Sequence, residues 1–182
     1  MQKILVYILV YFTTALYSQT FTGGICGGIT TSQINNDDVG GFYKFGPTGG
    51  FFIQKKLQEF TALQYEIRYT AKGSSDGAGG LQINLGYIET PLLYKYSKHI
   101  PFTFYGGLSP AIKLFETTSH SMVLRETNDF SRFELPFAVG ISYNLTSTMY
   151  ADVRYTQSTV SAGGVHYWYL NQCLYFAVYK NL

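Results

Sequence analysis

Strict two-residue alternation, renewed in one segment after another, restricts this chain more than any other feature of its sequence. Leu63, Tyr65, Ile67 and Tyr69 alternate with Gln64, Glu66, Arg68 and Thr70. Phe102, Phe104, Leu108, Ile112 and Leu114 oppose Thr103, Tyr105, Ser109, Ala111 and Lys113. Phe133, Leu135, Phe137, Val139 and Ile141 oppose Arg132, Glu134, Pro136, Ala138, Gly140 and Ser142. Met149, Ala151, Val153 and Tyr155 oppose Tyr150, Asp152, Arg154 and Thr156, and Leu174, Phe176 and Val178 oppose Cys173, Tyr175, Ala177 and Tyr179. Leu81, Ile83 and Leu85 opposite Gln82, Asn84 and Gly86 read the same way. Successive side chains of a strand point to opposite faces, so each segment is a strand with one apolar and one polar side. Two weaker segments, residues 23–34 and 49–57, bring the count to eight.

The connections alternate as well. Short turns fall at residues 58–59, 97–100 and 144–147, and longer polar or Gly-rich stretches at 33–47, 71–80, 116–129 and 158–169. Short turns at one end and long loops at the other are the layout of outer-membrane barrels. Sixteen strands of about 9–11 residues would leave no room for turns, which excludes a general porin. The expected fold is all-β: an eight-stranded antiparallel up-and-down transmembrane β-barrel preceded by a signal peptide.

The signal peptide is read from the first residues. Met1-Gln2-Lys3 is a short positive start, residues 4–12 are an unbroken apolar run, and residues 13–18 lead to a small residue. The run is shorter than the roughly 20 residues of a spanning helix and matches a secretory h-region. The division expected is residues 1–18 as signal peptide, cleaved near Ser18/Gln19, and residues 19–182 as the barrel domain. Cys26 is not a lipid-anchor site, because Ile25 stands where a small residue is needed.

Alternation does not say which face meets lipid, and here composition decides. Only 13% of the 182 residues are charged while 18% are aromatic, and the net charge is +2 with no long basic run. Disorder, a helical bundle and a nucleic-acid footprint are thereby excluded. The polar face carries Glu66, Arg68, Lys113, Arg132, Glu134, Asp152 and Arg154, with signs mixed and small residues between them. An eight-strand barrel has an interior just wide enough for side chains, where such charges neutralise one another. The apolar face would aggregate in water and suits a bilayer. Phe60, Tyr96, Phe102, Tyr143, Tyr150 and Tyr179 near the short turns form one expected aromatic girdle. Tyr69, Phe115, Phe130, Tyr155, Tyr167, Trp168 and Tyr169 near the loops form the other.

One segment breaks phase. Tyr87 and Ile88 are adjacent and apolar, and the pattern resumes as Ile88, Thr90, Leu92, Tyr94 and Tyr96. A bulge between Tyr87 and Pro91 is expected to absorb the slip. Pro110 and Pro136 strain the ladder in the same way, with no relief visible in the sequence.

The candidate site is the interior charge network Glu66, Arg68, Glu89, Glu134, Asp152 and Arg154, expected to be structural rather than a proton or ion pathway. Cys26 and Cys173, the two cysteines, lie on the first and last strands, which closure makes neighbours. A disulfide and two unpaired small residues are the alternatives. His99, His120 and His166 lack metal-ligand spacing, no nucleophile elbow or phosphate loop is present, and no cofactor is expected.

Glu66-Ile67-Arg68-Tyr69-Thr70-Ala71-Lys72-Gly73, Tyr87 through Tyr96, and Tyr105-Gly106-Gly107-Leu108 resemble the PorT-like outer-membrane β-barrel family. Gly140-Ile141-Ser142-Tyr143 and Val153-Arg154-Tyr155 resemble its closing strands. The likeness spans residues 23–182 and implies an OmpA/OmpX-sized barrel, with little implied about activity. Such barrels usually end in an aromatic residue, whereas this chain ends Tyr179-Lys180-Asn181-Leu182. The expected role is a non-enzymatic, monomeric protein of the bacterial outer membrane. Its partners are membrane lipid and, through the long loops, a protein or envelope component, with no nucleic acid. Two other readings compete: a soluble exported β-barrel binding a small apolar ligand, and an outer-leaflet lipid-modifying enzyme using Ser119, His120, Ser121 or His166.

Overall fold

Alternating segments become strands here because each finds a neighbour on both edges. The computed structural model describes residues 21–35, 41–76, 81–98, 101–120, 123–125, 130–159 and 170–182. The segment read as a signal peptide lies outside them, as do residues 36–40, 77–80, 121–122, 126–129 and 160–169 of the long loops.

The strands are β1 (Phe21–Asn35), β2 (Lys44–Lys56), β3 (Thr61–Ser75), β4 (Leu81–Glu89), β5 (Leu92–Tyr96) and β6 (Phe102–Leu108). There follow β7 (Ala111–His120), β8 (Val123–Arg125), β9 (Phe133–Glu134), β10 (Pro136–Asn144), β11 (Met149–Ser158) and β12 (Leu170–Asn181). Every pairing is antiparallel. β4 with β5, β7 with β6, and β9 with β10 are halves of single staves, while β8 folds back on the end of β7. Eight staves result. β1 pairs with β12 from Gly24↔Asn181 to Asn35↔Leu170, which closes the sheet and removes its edges.

The breaks within staves fall at prolines. Pro91 separates β4 from β5, Pro110 separates β6 from β7, and Pro136 follows the gap between β9 and β10. A proline has no N–H, so each stave gives up a ladder bond, but its carbonyl still accepts one. Glu66 N–H donates to Pro91 O at 3.0 Å, Thr90 N–H to Pro110 O at 2.8 Å, and Ser109 N–H to Pro136 O at 2.8 Å. The three gaps lie side by side, forming one seam across neighbouring staves rather than three separate faults.

The expected bulge is displaced. Register with β3 is unbroken, from Ser75↔Gln82 through Arg68↔Glu89 to Tyr65↔Leu92. The irregularity lies one position earlier, between Gly86 and Tyr87, and the extra residue belongs to β7, where Gly86 faces Phe115 but Tyr87 faces Lys113. Leu114 is left over, so Leu114 and Phe115 both point outward. The phase change in β4 comes instead from chemistry: Ile83 and Leu85 face inward, with Tyr87 and Glu89 continuing the same face. They join Ile34, Ala111 and Phe130 in an apolar cluster at the loop end of the lumen. The assignment of Ile83 and Leu85 to the outer face is thus reversed, because at this end the lumen itself holds apolar side chains beside the buried Lys113–Glu116 pair. β1 and β3 are 15 residues long, against about 9–11 for a membrane crossing. The first long loop is shorter than read, since residues 33–35 and 44–47 are strand.

Elsewhere the outer face is apolar as read. Ile67, Val139 and Phe104 are 51%, 48% and 55% exposed, while Glu66, Glu89 and Glu134 are 0% exposed. This is the opposite of a soluble barrel with an apolar ligand pocket. Phe60, Tyr96, Phe102 and Tyr143 are exposed near the short turns, as a girdle requires. Tyr150 and Tyr179 are buried in the lumen instead, and so is Phe130. Arg132, read as interior, is exposed because it precedes β9 in a bend where alternation no longer applies.

Candidate functional site: a sealed lumen with an open vestibule

Inward positions of β3 supply the spine of the lumen: Gln64, Glu66, Arg68, Thr70 and Lys72, all buried. Spaced two apart, they stack along the barrel axis with the carboxylate of Glu66 followed by the cations Arg68 and Lys72, and partners reach them from across the lumen. Arg154 of β11 grips Glu66 with two donors, Nη2 to Oε1 at 2.8 Å and Nη1 to Oε2 at 3.1 Å. Arg68 lies 3.4 Å from the same carboxylate and donates through Nε to Glu89 Oε2 at 3.0 Å. Lys72 pairs with Glu89 at 2.5 Å and reaches Glu134 at 3.6 Å. Asp152 sits 3.9 Å from Arg154 Nε and accepts from the Tyr105 and Ser142 hydroxyls at 2.8 Å each.

All six charged residues singled out in the sequence are therefore buried in one connected network. Several others belong to it and were not singled out. Lys72 links its two ends. Tyr179 donates to Glu66 at 3.1 Å, Tyr175 to Glu89 at 2.9 Å and Tyr87 to Glu134 at 2.8 Å. The Asn171 amide also donates to Glu134. The Arg68 guanidinium lies 4.2 Å over the Tyr175 ring. Each hydroxyl satisfies a carboxylate lone pair that an isolated ion pair would leave bare, which is what makes burial of the charges tolerable. The signal was available for Lys72, at the polar phase of β3, and for Tyr175 and Tyr179, at the polar phase of β12. The ring of Tyr179, close to a short turn, suggested a membrane interface and masked its hydroxyl chemistry.

Room for these side chains comes from the neighbouring staves β2 and β1, where Gly50 is the direct cross-strand partner of Arg68. Gly24, Gly28, Gly46 and Gly50 occupy inward positions of β1 and β2. A Cβ on Gly50 would lie 2.6 Å from Arg68 Cβ and 2.2 Å from Ile67 O. The glycines of β1 and β2 thus make room in the lumen, Gly50 for Arg68.

The cysteines do not meet. Cys26 stands opposite Tyr179 whereas Cys173 stands opposite Ser32, six residues or roughly 20 Å further along β1. Both are free thiols, which corrects the disulfide alternative. Closure made their strands neighbours without matching their heights. Among the described residues, no group of three or more His, Cys, Asp and Glu could hold a metal ion. His99, Ser121 and His166 lie outside the described residues, as does the side chain of His120.

The lumen is layered. The apolar cluster of Ile34, Ile83, Leu85, Tyr87, Ala111 and Phe130 closes the loop end, and the ionic network fills the middle. Below it Phe52, Tyr150 and Tyr179 pack together, Tyr150 and Tyr179 stacked with centroids 4.8 Å apart. The turn end then opens into a vestibule of about 660 Å³. Lys95 and Tyr150 line its inner part, with Thr103, Ser142, Asn144 and Phe60 among the walls.

A closed antiparallel barrel with an apolar band outside and an ionic lumen is a transmembrane barrel of the outer-membrane type. The chain belongs to the outer membrane protein beta-barrel domain family, whose model matches residues 4–171. It is a protein of the bacterial outer membrane. No curated protein matches it in sequence. Among solved structures, it is similar to Ail, the attachment invasion locus protein of Yersinia pestis. That match has a TM-score of 0.61 at 11% identity, covering 88% of this chain and 98% of that one. Neisserial surface protein A is similar at a TM-score of 0.62 and 13% identity, over 89% of this chain and 97% of that one. The N-terminal barrel domain of Pseudomonas aeruginosa OprF follows the same fold at a TM-score of 0.51 and 11% identity, over 91% and 100%. At these identities the likeness is one of fold.

Proposed function

We propose that this protein is a non-enzymatic, monomeric outer-membrane barrel that conducts no solute and acts through its loops, its barrel serving as a rigid membrane anchor. The observation that carries the reading is the filled lumen: Arg154, Glu66, Arg68, Glu89, Lys72 and Glu134 form a continuous ladder of ion pairs, each residue 2% exposed or less. A conducting pore needs a wetted path, and here the space is taken by paired groups under an apolar plug. With the interior closed, contact with other molecules falls to the surface outside the bilayer. Ail, a barrel of the same fold, has been crystallised with the heparin analogue sucrose octasulfate, which supports an external binding role for barrels of this size. The paired charges are structural: they hold a polar core in one arrangement. Residues 1–18 are a signal peptide, and within the broader family the PorT-like motifs point to that subgroup.

Planar-bilayer recording on the refolded protein tests the reading. Silent membranes are expected, and regular unitary current steps would sink it. Intact-mass measurement of protein extracted from outer membranes checks the leader, with loss of residues 1–18 expected. Deleting residues 160–169, between β11 and β12, should leave heat-modifiable gel mobility unchanged while altering envelope phenotypes. A null effect on every envelope assay would count against a loop-borne role.

A further inference from the structure

We propose that the turn-end vestibule is a binding site for a small acidic sugar, with Lys95 as the group that holds its carboxylate or phosphate. Lys95 is 6% exposed and lines the cavity. Its ammonium has three donors. One goes to Gln64 Oε1 at 2.9 Å, and the Tyr150 ring lies 4.5 Å from Nζ and the Tyr105 ring 5.8 Å away. Among the described residues, no carboxylate stands within 4.0 Å of it. Every other cation of the central lumen, Arg68, Lys72 and Arg154, has a carboxylate partner.

The carbonyl beside Lys95 is held there by the network above. Gln64 Nε2 donates to Glu66 Oε1 at 2.6 Å, which turns the amide oxygen toward the ammonium. The site is therefore built from the ionic layer downward. Asp152 and Glu66 act on the ammonium only from beyond 4.0 Å, so the donors it does not give to Gln64 are open to an anion in the adjoining space. Lys56 and Lys98 line the same cavity and add attraction, opposed by the carboxylate of Glu59. The remaining walls set the rest of the ligand. Thr103, Ser142 and Asn144 offer hydroxyl and amide groups, with Thr22, Gln54 and Thr61 beside them. A wall of hydroxyl and amide groups suits the hydroxyls of a sugar, and a volume of about 660 Å³ lies within the usual range for small-molecule sites.

Isothermal titration in nonionic polyoxyethylene micelles tests this with glucose 6-phosphate, glucuronate, glucose and inorganic phosphate. The two sugar acids are expected to bind about tenfold or more tighter than glucose, and Lys95→Met is expected to abolish that difference. The variant should keep heat-modifiable mobility, since no ion pair is broken. Glu59→Gln, at the rim, should tighten the acids. Equal binding of acid and neutral sugar, absence of binding heat, or an unaffected Lys95→Met variant would overturn the proposal. Inorganic phosphate binding as tightly as glucose 6-phosphate would overturn its sugar component. Repeating the titration in phosphatidylglycerol and phosphatidylcholine nanodiscs separates sources of the anion. Blockage only by phosphatidylglycerol assigns the site to a lipid headgroup with its glycerol hydroxyls, and free binding in both assigns it to a soluble molecule.

Discussion

The middle of the lumen and its turn end use the same materials to opposite ends. Both contain buried cations, tyrosines and glutamine or asparagine amides. In the middle, Arg68, Lys72 and Arg154 are interleaved with Glu66, Glu89, Glu134 and Asp152, so the layer closes on itself. At the turn end, Lys95 meets Gln64 and the Tyr150 ring, and the space beside it is open. Burial of charge thus has two outcomes in one barrel. Where carboxylates lie against cations the lumen is filled, and where Lys95 has none within 4.0 Å a cavity persists. The difference lies in spacing: β3 supplies carboxylate and cation two residues apart, whereas β5 brings Lys95 down among amides and hydroxyls.

Breaking the sealed layer should have the largest effect. Arg154→Ala leaves Glu66 with one guanidinium instead of two and strands part of its desolvation, so a loss of about 3–5 kcal/mol is expected. Urea-induced unfolding in lipid vesicles measures it, and an unchanged midpoint would contradict the network's structural role. Next comes the outer face. Ile67→Arg, in the middle of β3, places a charge against lipid and should cost about 2–4 kcal/mol if that position is near the midplane of the bilayer. The same unfolding measurement applies, and a neutral result would mean that Ile67 does not face hydrocarbon. Gly50→Val sharpens the comparison from the adjoining stave, because its side chain would press on the Arg68 backbone and Cβ. Overpacking of this kind costs about 1–3 kcal/mol, and a lower melting temperature by circular dichroism is expected. Smallest is Lys95→Met. It removes a cation with no carboxylate partner, so stability should shift by less than about 1 kcal/mol, in contrast to Arg154→Ala. A loss as large as that of Arg154→Ala would erase the distinction between the two layers.

Much of the fold is legible along the chain because a strand's period is two and a closed barrel gives each face one environment. Ile67 and Val139 outside, Glu66 and Arg154 inside, and the short turns at residues 58–59 and 144–147 all follow from that. The reading fails where environment changes along one stave. β4 keeps its backbone phase while its inner face turns from Glu89 and Tyr87 to Leu85 and Ile83, so polarity no longer reports direction. Tyr150 and Tyr179 sit close to turns in sequence, as girdle residues do, but their phase sends them inward to Phe52 and Glu66. The cysteines show the same limit, since strand adjacency was predictable and height was not.

What the sequence determines by itself is local: strand or turn, which residues share a face, and that the charged face is the one to be enclosed. Those follow from backbone geometry and from the cost of exposing apolar side chains to water or charges to lipid. Only the tertiary structure decides who meets whom across the lumen. Arg154 and Glu66 are 88 residues apart, and Tyr179 and Glu66 are 113 apart. Their contact depends on closure, on the stagger between staves and on the glycines of the neighbouring β1 and β2. Whether a buried lysine finds a carboxylate or an open cavity is set by that stagger, because a shift of one ladder position along a strand exchanges one partner for another.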